Sequence, residues 1–213
     1  MCRAQGGCLA LLLVAALAAF PVGGRARQGP DAANLSQVLE QVRRSTRLIE
    51  GRTRVRQLYR VEVLGLAWEF SAWVTKENGT VTVQAEGAPW FLPGTLRLAA
   101  VEAFQLLEGY EPSLAGTLRL DDGREVWLVE AVPRDPTQGA RRVRFWVERD
   151  TGQVTHLELE YGWGLLVIDQ TYQQVGPYTV LDTQHVQVRP LGIRVEVRYR
   201  DYELESLPAH PAS

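Results

Sequence analysis

The stretch Val55-Arg56-Gln57-Leu58-Tyr59-Arg60-Val61-Glu62-Val63-Leu64-Gly65-Leu66-Ala67-Trp68-Glu69-Phe70-Ser71-Ala72-Trp73-Val74, followed by Asn78-Gly79 and Thr80-Val81-Thr82-Val83-Gln84-Ala85, decides the fold. Its period is two. Val55, Tyr59, Val61 and Val63 alternate with Arg54, Arg56, Arg60 and Glu62. Trp68, Phe70, Ala72 and Val74 alternate with Glu69, Ser71 and Trp73, and Val81, Val83 and Ala85 with Thr80, Thr82 and Gln84. Successive side chains of a strand point to opposite faces, so each run has an apolar and a polar side. Gly65 separates the first two runs. Asn78-Gly79 separates the next two and is a strong two-residue hairpin signal. The three runs therefore predict an antiparallel meander with one apolar face.

Towards the C-terminus the period holds. Strands are expected over residues 114–120, 125–132, 141–148, 156–161, 165–175 and 193–204, with turns at Asp122-Gly123, Asp150-Thr151-Gly152 and Gly176-Pro177. Val143, Phe145 and Val147 oppose Arg142, Arg144 and Glu148. Leu157 and Leu159 oppose His156, Glu158 and Glu160, and Val195, Val197 and Tyr199 oppose Arg194, Glu196 and Arg198. Trp73, Trp127 and Trp146 read as mixed or polar-face residues, which either bury against the helix or form a partner surface. A tail is expected over 206–213.

Towards the N-terminus the period changes to that of a helix. Leu35, Val38, Leu39, Val42 and Ile49 form one stripe over residues 31–50, with Gly51 as the expected terminator. Asn34-Leu35-Ser36 matches a glycosylation sequon but reads as a helix start. A second short helix is expected over 98–107, after the Pro-flanked loop that holds Trp90 and Phe91. Before Arg27, one cation at Arg3 precedes an apolar run from Cys8 to Phe20, which is the layout of a signal peptide over residues 1–26. The run is shorter than the roughly 20 residues of a membrane span.

Cleavage there would remove both cysteines, leaving a domain over 27–205 without disulfides. It would also take the basic count from 23 to 21 against 25 acidic residues, a net of −4. Neither nucleic acid nor anionic lipid is attracted by that balance. About ten strands and two helices give an α+β class: one large curved antiparallel sheet, an unclosed half-barrel, with helices covering its concave apolar face. Two short helices leave room for an apolar cavity suited to an acyl chain, or else the interior is packed solid. Residues expected to line such a cavity are Val61, Val63, Trp68, Phe70, Ala72, Val81, Val83, Trp90, Phe91, Phe145, Val147, Leu157, Leu159, Val195 and Val197.

Catalytic groups are not apparent. The three histidines, His156, His185 and His210, show no metal-ligand spacing, and there is no nucleophile turn or phosphate loop. No catalytic residue, metal ligand or cofactor is expected. Glu158 and Glu160 are expected to pair with Arg142 and Arg144 on the neighbouring strand.

Three segments carry a resemblance. Phe145-Trp146-Val147-Glu148-Arg149-Asp150-Thr151-Gly152 is similar to the "W-V-D-x-x-T-G" hairpin of the LolA-like lipoprotein-carrier superfamily. Tyr172-Gln173-Gln174-Val175-Gly176 resembles its "Y-x-x-V-x-G", and Val195 to Tyr202 resembles its closing strand. The resemblance covers residues 35–204. It implies an exported, monomeric carrier of the periplasm or cell envelope, binding the acyl chains of lipoproteins or lipids without bond chemistry. It also implies an inner-membrane transporter or envelope regulator as partner, and an arginine among Arg52, Arg54 and Arg56 that holds a helical lid. The superfamily includes RseB-type sensors that restrain an anti-sigma factor. That regulatory role is the alternative reading, although the length leaves no room for the sensors' usual second domain.

Overall fold

The structure, a computed structural model, describes residues 34–45, 51–77, 80–87, 107, 109–135, 137 and 139–206. One helix, α1 (Leu35–Ser45), precedes ten strands: β1 (Gly51–Val63), β2 (Leu66–Glu77), β3 (Thr80–Glu86), β4 (Tyr110–Arg119), β5 (Glu125–Pro133), β6 (Arg142–Glu148), β7 (Val154–Tyr161), β8 (Gly164–Val175), β9 (Tyr178–Arg189) and β10 (Ile193–Ser206). They form one antiparallel sheet in the order β3-β2-β1-β10-β9-β8-β7-β6-β5-β4. The first strand pairs with the last, while β3 and β4 remain as edges, so the sheet is an unclosed half-barrel. The expected signal peptide, the Asn78-Gly79 turn, the loop with Trp90 and Phe91, the second helix except Leu107, and the tail beyond Ser206 lie outside the described residues.

Asn34 caps α1: its Oδ1 accepts from the Ser36 amide, and Gln37 Oε1 accepts from the Asn34 amide. Val38 and Val42 of the apolar stripe are fully buried. The far end of α1 is pinned to the β6–β7 turn. Gln41 Nε2 donates to the Arg149 carbonyl at 2.6 Å and Ser45 Oγ to the Gly152 carbonyl at 2.7 Å. Gly152 has to be glycine there. Its φ is +71°, and a Cβ would stand 2.6 Å from the Gln41 side chain and 2.7 Å from its carbonyl.

Several expectations are corrected. Gly51 opens β1, opposite Ser206, and residues 46–50, where the helix was expected to end, lie outside the described residues. β4 begins at Tyr110, four residues before the expected start. β9 was not expected as a strand, because its inner positions include Gln184 and the ladder slips between Thr171 and Tyr172, which breaks the simple alternation. Of the two places left open for Trp127, burial and a partner surface, the structure takes burial. It pairs with Val147, is 7% exposed and belongs to the core, because its side chain follows Val129 and Ala131 on the inner face.

Two apolar clusters occupy the inner face. One joins α1 to β5, β6 and β7 through Val38, Val42, Trp127, Val129, Phe145 and Leu157. The other lies on β1, β2 and β10, through Val55, Tyr59, Val61, Phe70, Ala72 and Val197.

Candidate functional site: the inner face of the sheet

The register fixes which predicted lining residues meet. Val61 pairs with Trp68 and with Val195, and Tyr59 pairs with Phe70 and with Val197. The Tyr59 and Phe70 rings stack at 4.8 Å and 7°. Ala72 follows Phe70, Val83 pairs with Val74, and Val81 pairs with Lys76 at the β3 edge, where it is 40% exposed. Val63 packs on the rim of this cluster. Phe145, Val147, Leu157 and Leu159 are brought together elsewhere, in the cluster beneath α1, with at most 4% exposure. Trp90 and Phe91 lie outside the described residues.

A buried polar seam runs between the two clusters. On one side the Tyr59 hydroxyl donates to Gln57 Oε1. Gln57 pairs with Tyr199 across β1 and β10. The Tyr199 hydroxyl donates to Gln184 Oε1, and Gln184 Nε2 donates to Gln170 Oε1 at 2.9 Å. Gln170 Nε2 donates to the Tyr172 hydroxyl at 2.8 Å and to the Val154 carbonyl, which also accepts from the Tyr172 hydroxyl at 2.9 Å. Burial pushes the Tyr59, Tyr172 and Tyr199 hydroxyls far above their ordinary pKa, so all three stay neutral donors. Among the described residues no buried side-chain polar atom lacks a partner, as a low-dielectric interior requires. Nothing in the strand alternation singles out the seam. Glutamine and tyrosine at inner positions 57, 170, 184 and 199 were its only visible signal.

The outer face is ionic. Arg60, Glu196, His185, Asp169, His156 and Trp146 are direct cross-strand neighbours in one rung. His156 Nδ1 meets Asp169 at 2.5 Å and Nε2 lies 3.7 Å from Glu158. Burial alone would lower the His156 pKa, but the Glu158 and Asp169 carboxylates outweigh it and raise it. Arg144 bridges to Glu158 at 3.1 Å and Glu160 at 4.0 Å, as the sequence leads one to expect. A cavity of about 320 Å³ on this face is lined by Arg60, Glu62, Asp169, His185, Arg194 and Glu196 among others. Among the described residues no group of three His, Cys, Asp or Glu is placed to hold a metal. Arg54 lies 4.1 Å over the Trp73 ring and bonds Glu203, and Arg56 faces Asp201. Both stand on the outer side, away from the inner face.

An open ten-strand antiparallel sheet, with its first and last strands paired and a helix on its apolar face, matches known structures. A DUF1329 family protein from Desulfovibrio piger superposes with TM-score 0.63 at 10% identity, covering 80% of this chain and 92% of that one. A LolA superfamily protein from Nitrosomonas europaea superposes with TM-score 0.62 at 14% identity, covering 83% and 96%. A Vibrio parahaemolyticus domain named for outer membrane lipoprotein sorting gives TM-score 0.60 at 12% identity, covering 83% and 96%. The fold is LolA-like. No family model and no curated protein matches the sequence. In this LolA-like sheet the helix sits over one end of the inner face, and the β1–β2–β10 patch with its polar seam occupies the other.

Proposed function

We propose that the chain is an exported carrier of the cell envelope that takes the acyl chains of a lipoprotein or lipid on its inner face. The observation that carries this reading is the continuous apolar patch of Val61, Phe70, Ala72, Val195 and Val197, which runs outward through Val83 to the half-exposed Val81 at the sheet edge. The neighbour named for outer membrane lipoprotein sorting has the same fold and supports the same class of ligand. Each methylene removed from water contributes about 0.8 kcal/mol, so two or three chains bind by apolar contact alone. The reaction is transfer without a covalent step. The ligand leaves one membrane component, rides with its chains out of water, and passes to an acceptor that binds them better. Phe145, Val147, Leu157 and Leu159 serve this reading as the packed support beneath α1, while the β1–β2–β10 residues line the site.

Native mass spectrometry of protein purified from its own envelope without detergent tests the proposal. A released mass identified as a lipid or acylated peptide is the expected result. Phe70→Asp and Val197→Asp should each abolish binding of an acyl fluorophore. Folded variants that keep full binding would move the site elsewhere, and wild-type protein that neither carries nor takes up acyl chains would remove the carrier reading.

A further inference from the structure

The exposed apolar side chains are distributed unevenly. Of the seven exposed large apolar side chains among the described residues, Leu64 (87% exposed), Leu66 (62%), Trp163 (54%), Leu191 (54%) and Val132 (49%) stand at one end of the sheet, while Leu58 (36%) lies mid-strand and Val81 (40%) at the β3 edge. That end carries the β1–β2, β9–β10 and β7–β8 turns, which are neighbours in the strand order β2-β1-β10-β9-β8-β7. The register brings their tips to a similar height. Val61, Val195, Val186, Ile168 and Leu157 form one cross-strand rung. From it Leu64 lies three residues on, Leu191 five beyond Val186, and Trp163 five before Ile168. At about 4.8 Å per strand the three tips form a row about 20 Å long. The opposite end presents Asp121, Asp122, Asp150, Glu203 and Glu205.

The tips are held firmly. A Cβ on Gly164 would stand 2.0 Å from the Arg189 carbonyl, so the β7–β8 and β9–β10 turns touch backbone to backbone. Trp163 stacks on Tyr161 at 5.0 Å. Leu64 is held at φ +52° before Gly65 at +82°, in the turn geometry that favours Asn and Gly. A leucine there is unfavourable both for the backbone and for its hydration. Two independent costs at one exposed position point to a use for the side chain.

We propose that this row of hairpin tips, Leu64, Leu66, Leu191 and Trp163, is a docking edge for the interfacial region of a lipid bilayer. Its chemistry is that of a membrane interface: aliphatic side chains at the tips, a tryptophan with a polar ring nitrogen, and flanking arginines. Arg194 is 75% exposed beside the Leu191 turn, and Arg189 precedes it. Long cationic side chains reach back to headgroup phosphates while their neighbours enter the acyl boundary. Glu62, the carboxylate nearest Leu64, already faces Arg60 at 3.7 Å and Arg194 at 3.9 Å, so it does not set up uncompensated repulsion from anionic headgroups. A single row of protruding tips fits a flat, deformable surface better than a rigid partner, which needs roughly 800 Å² per side for a stable contact. The edge is distinct from the inner face, and its role does not depend on what that face carries.

Vesicle flotation with the envelope-processed protein tests this, using vesicles of phosphatidylcholine with 30 mol% phosphatidylglycerol, about the anionic content of many membranes. Wild type is expected to float, and brominated lipid is expected to quench a fluorescence component that Trp163→Phe removes. The double variant Leu64→Asp/Leu191→Asp should lower partitioning about tenfold or more, with unchanged circular dichroism and unchanged acyl-probe uptake. Leu58→Asp, on the outer face in mid-strand, serves as a control and should leave partitioning intact. Wild type that stays in the supernatant, equal flotation of the double variant, or tip-dependent dimerisation without vesicle binding would each overturn the proposal. Loss of acyl-probe uptake with flotation intact would count against the carrier reading alone.

Discussion

The two halves of the inner face use the same palette of valine, leucine, phenylalanine and alanine, yet they are finished differently. Beneath α1, Val129, Val143, Phe145, Val147 and Val154 are 0–1% exposed, and the helix is bonded to the β6–β7 turn at two points. On β1, β2 and β10 the cluster grades outward from Ala72 and Val197 at 0% through Phe70 at 8% to Val81 at 40%. The first half is a core closed by its own secondary structure. Among the described residues no helix lies over the second half, which is as fully buried at its centre and ends at the β3 edge; the hydrogen-bonded seam of Tyr199, Gln184 and Gln170 lies between the two. An apolar position therefore does not declare its task by its residue type. What separates support from site is the element laid over it and its distance from the edge.

The largest expected effect lies in the covered half. Phe145→Ala should cost about 3–5 kcal/mol, because helix and sheet cannot both close on the void. Phe70→Ala should cost about 3 kcal/mol, since a buried ring and its Tyr59 stack are lost, but it should remove most acyl-probe binding. Urea unfolding of the two variants beside probe titration would sharpen the comparison. Equal stability costs with equal effects on binding would erase it.

The seam comes next. Gln184→Leu removes the bonds of the buried Tyr199 hydroxyl and Gln170 Oε1 to Gln184, and should cost about 2–3 kcal/mol. Adding Gln170→Leu should cost less than the sum of the two single changes, because the broken network is shared. Strict additivity would mean that the two glutamines do not act as one network. Below that stands Gln41→Ala, which removes one pin of α1 and should cost about 1 kcal/mol. Hydrogen exchange should then speed up in α1 and on β6–β7 while the β1–β2 ladder keeps its protection. Faster exchange in both halves together would show that they open as one unit.

How much of this was legible in the sequence follows from which signals are local. Alternation in residues 55–85 and 141–161 reads directly as strands, since each residue's side is set by its neighbours two away. The pairing of β1 with β10 is not local, and no reading of the sequence supplied it; only the sheet register shows it. β9 was missed because its inner face carries Gln184 and a ladder slip, and Trp127 stayed open between burial and a partner surface because Val126, Trp127 and Leu128 are all apolar and leave the phase ambiguous. That four of the expected lining residues join the cluster beneath α1 and seven the other was invisible, since helix position is a tertiary fact. His156 stood on the polar face with Glu158 in the strand pattern, and only the register puts Asp169 beside it.

That histidine gives the smallest prediction, and it concerns the sheet's outer side, where the two halves are tied by charge. His156 faces Asp169 on β8, Trp146 and Arg144 on β6 and Glu158 on its own strand, with His185 on β9 beyond Asp169. Its pKa is raised in the folded chain, burial being outweighed by the two carboxylates. A raised value means that the folded state holds the proton more tightly than the unfolded one. The stabilisation is therefore fully present below the unfolded histidine value, about 6.5, and is lost as pH rises through the folded value. Glu158 works in the other direction. Its pKa is lowered, first by the His156 hydrogen bond and then by Arg144 against the opposing effect of burial, so its contribution is present above the unfolded carboxyl value and fades as pH falls through the folded one. The pair is strongest between those limits. Relative to His156→Gln, wild type should gain stability at pH 6 compared with pH 9, by less than about 1 kcal/mol because the group is partly exposed. The gain should shrink in 1 M salt, where the screening length is roughly 3 Å. Urea midpoints whose difference is flat from pH 6 to pH 9 would mean that the rung is held by packing on Trp146 (4.5 Å, edge-on) rather than by charge. The side-chain tie between the halves would then lie in the inner seam, over the backbone ladder that joins β7 to β10.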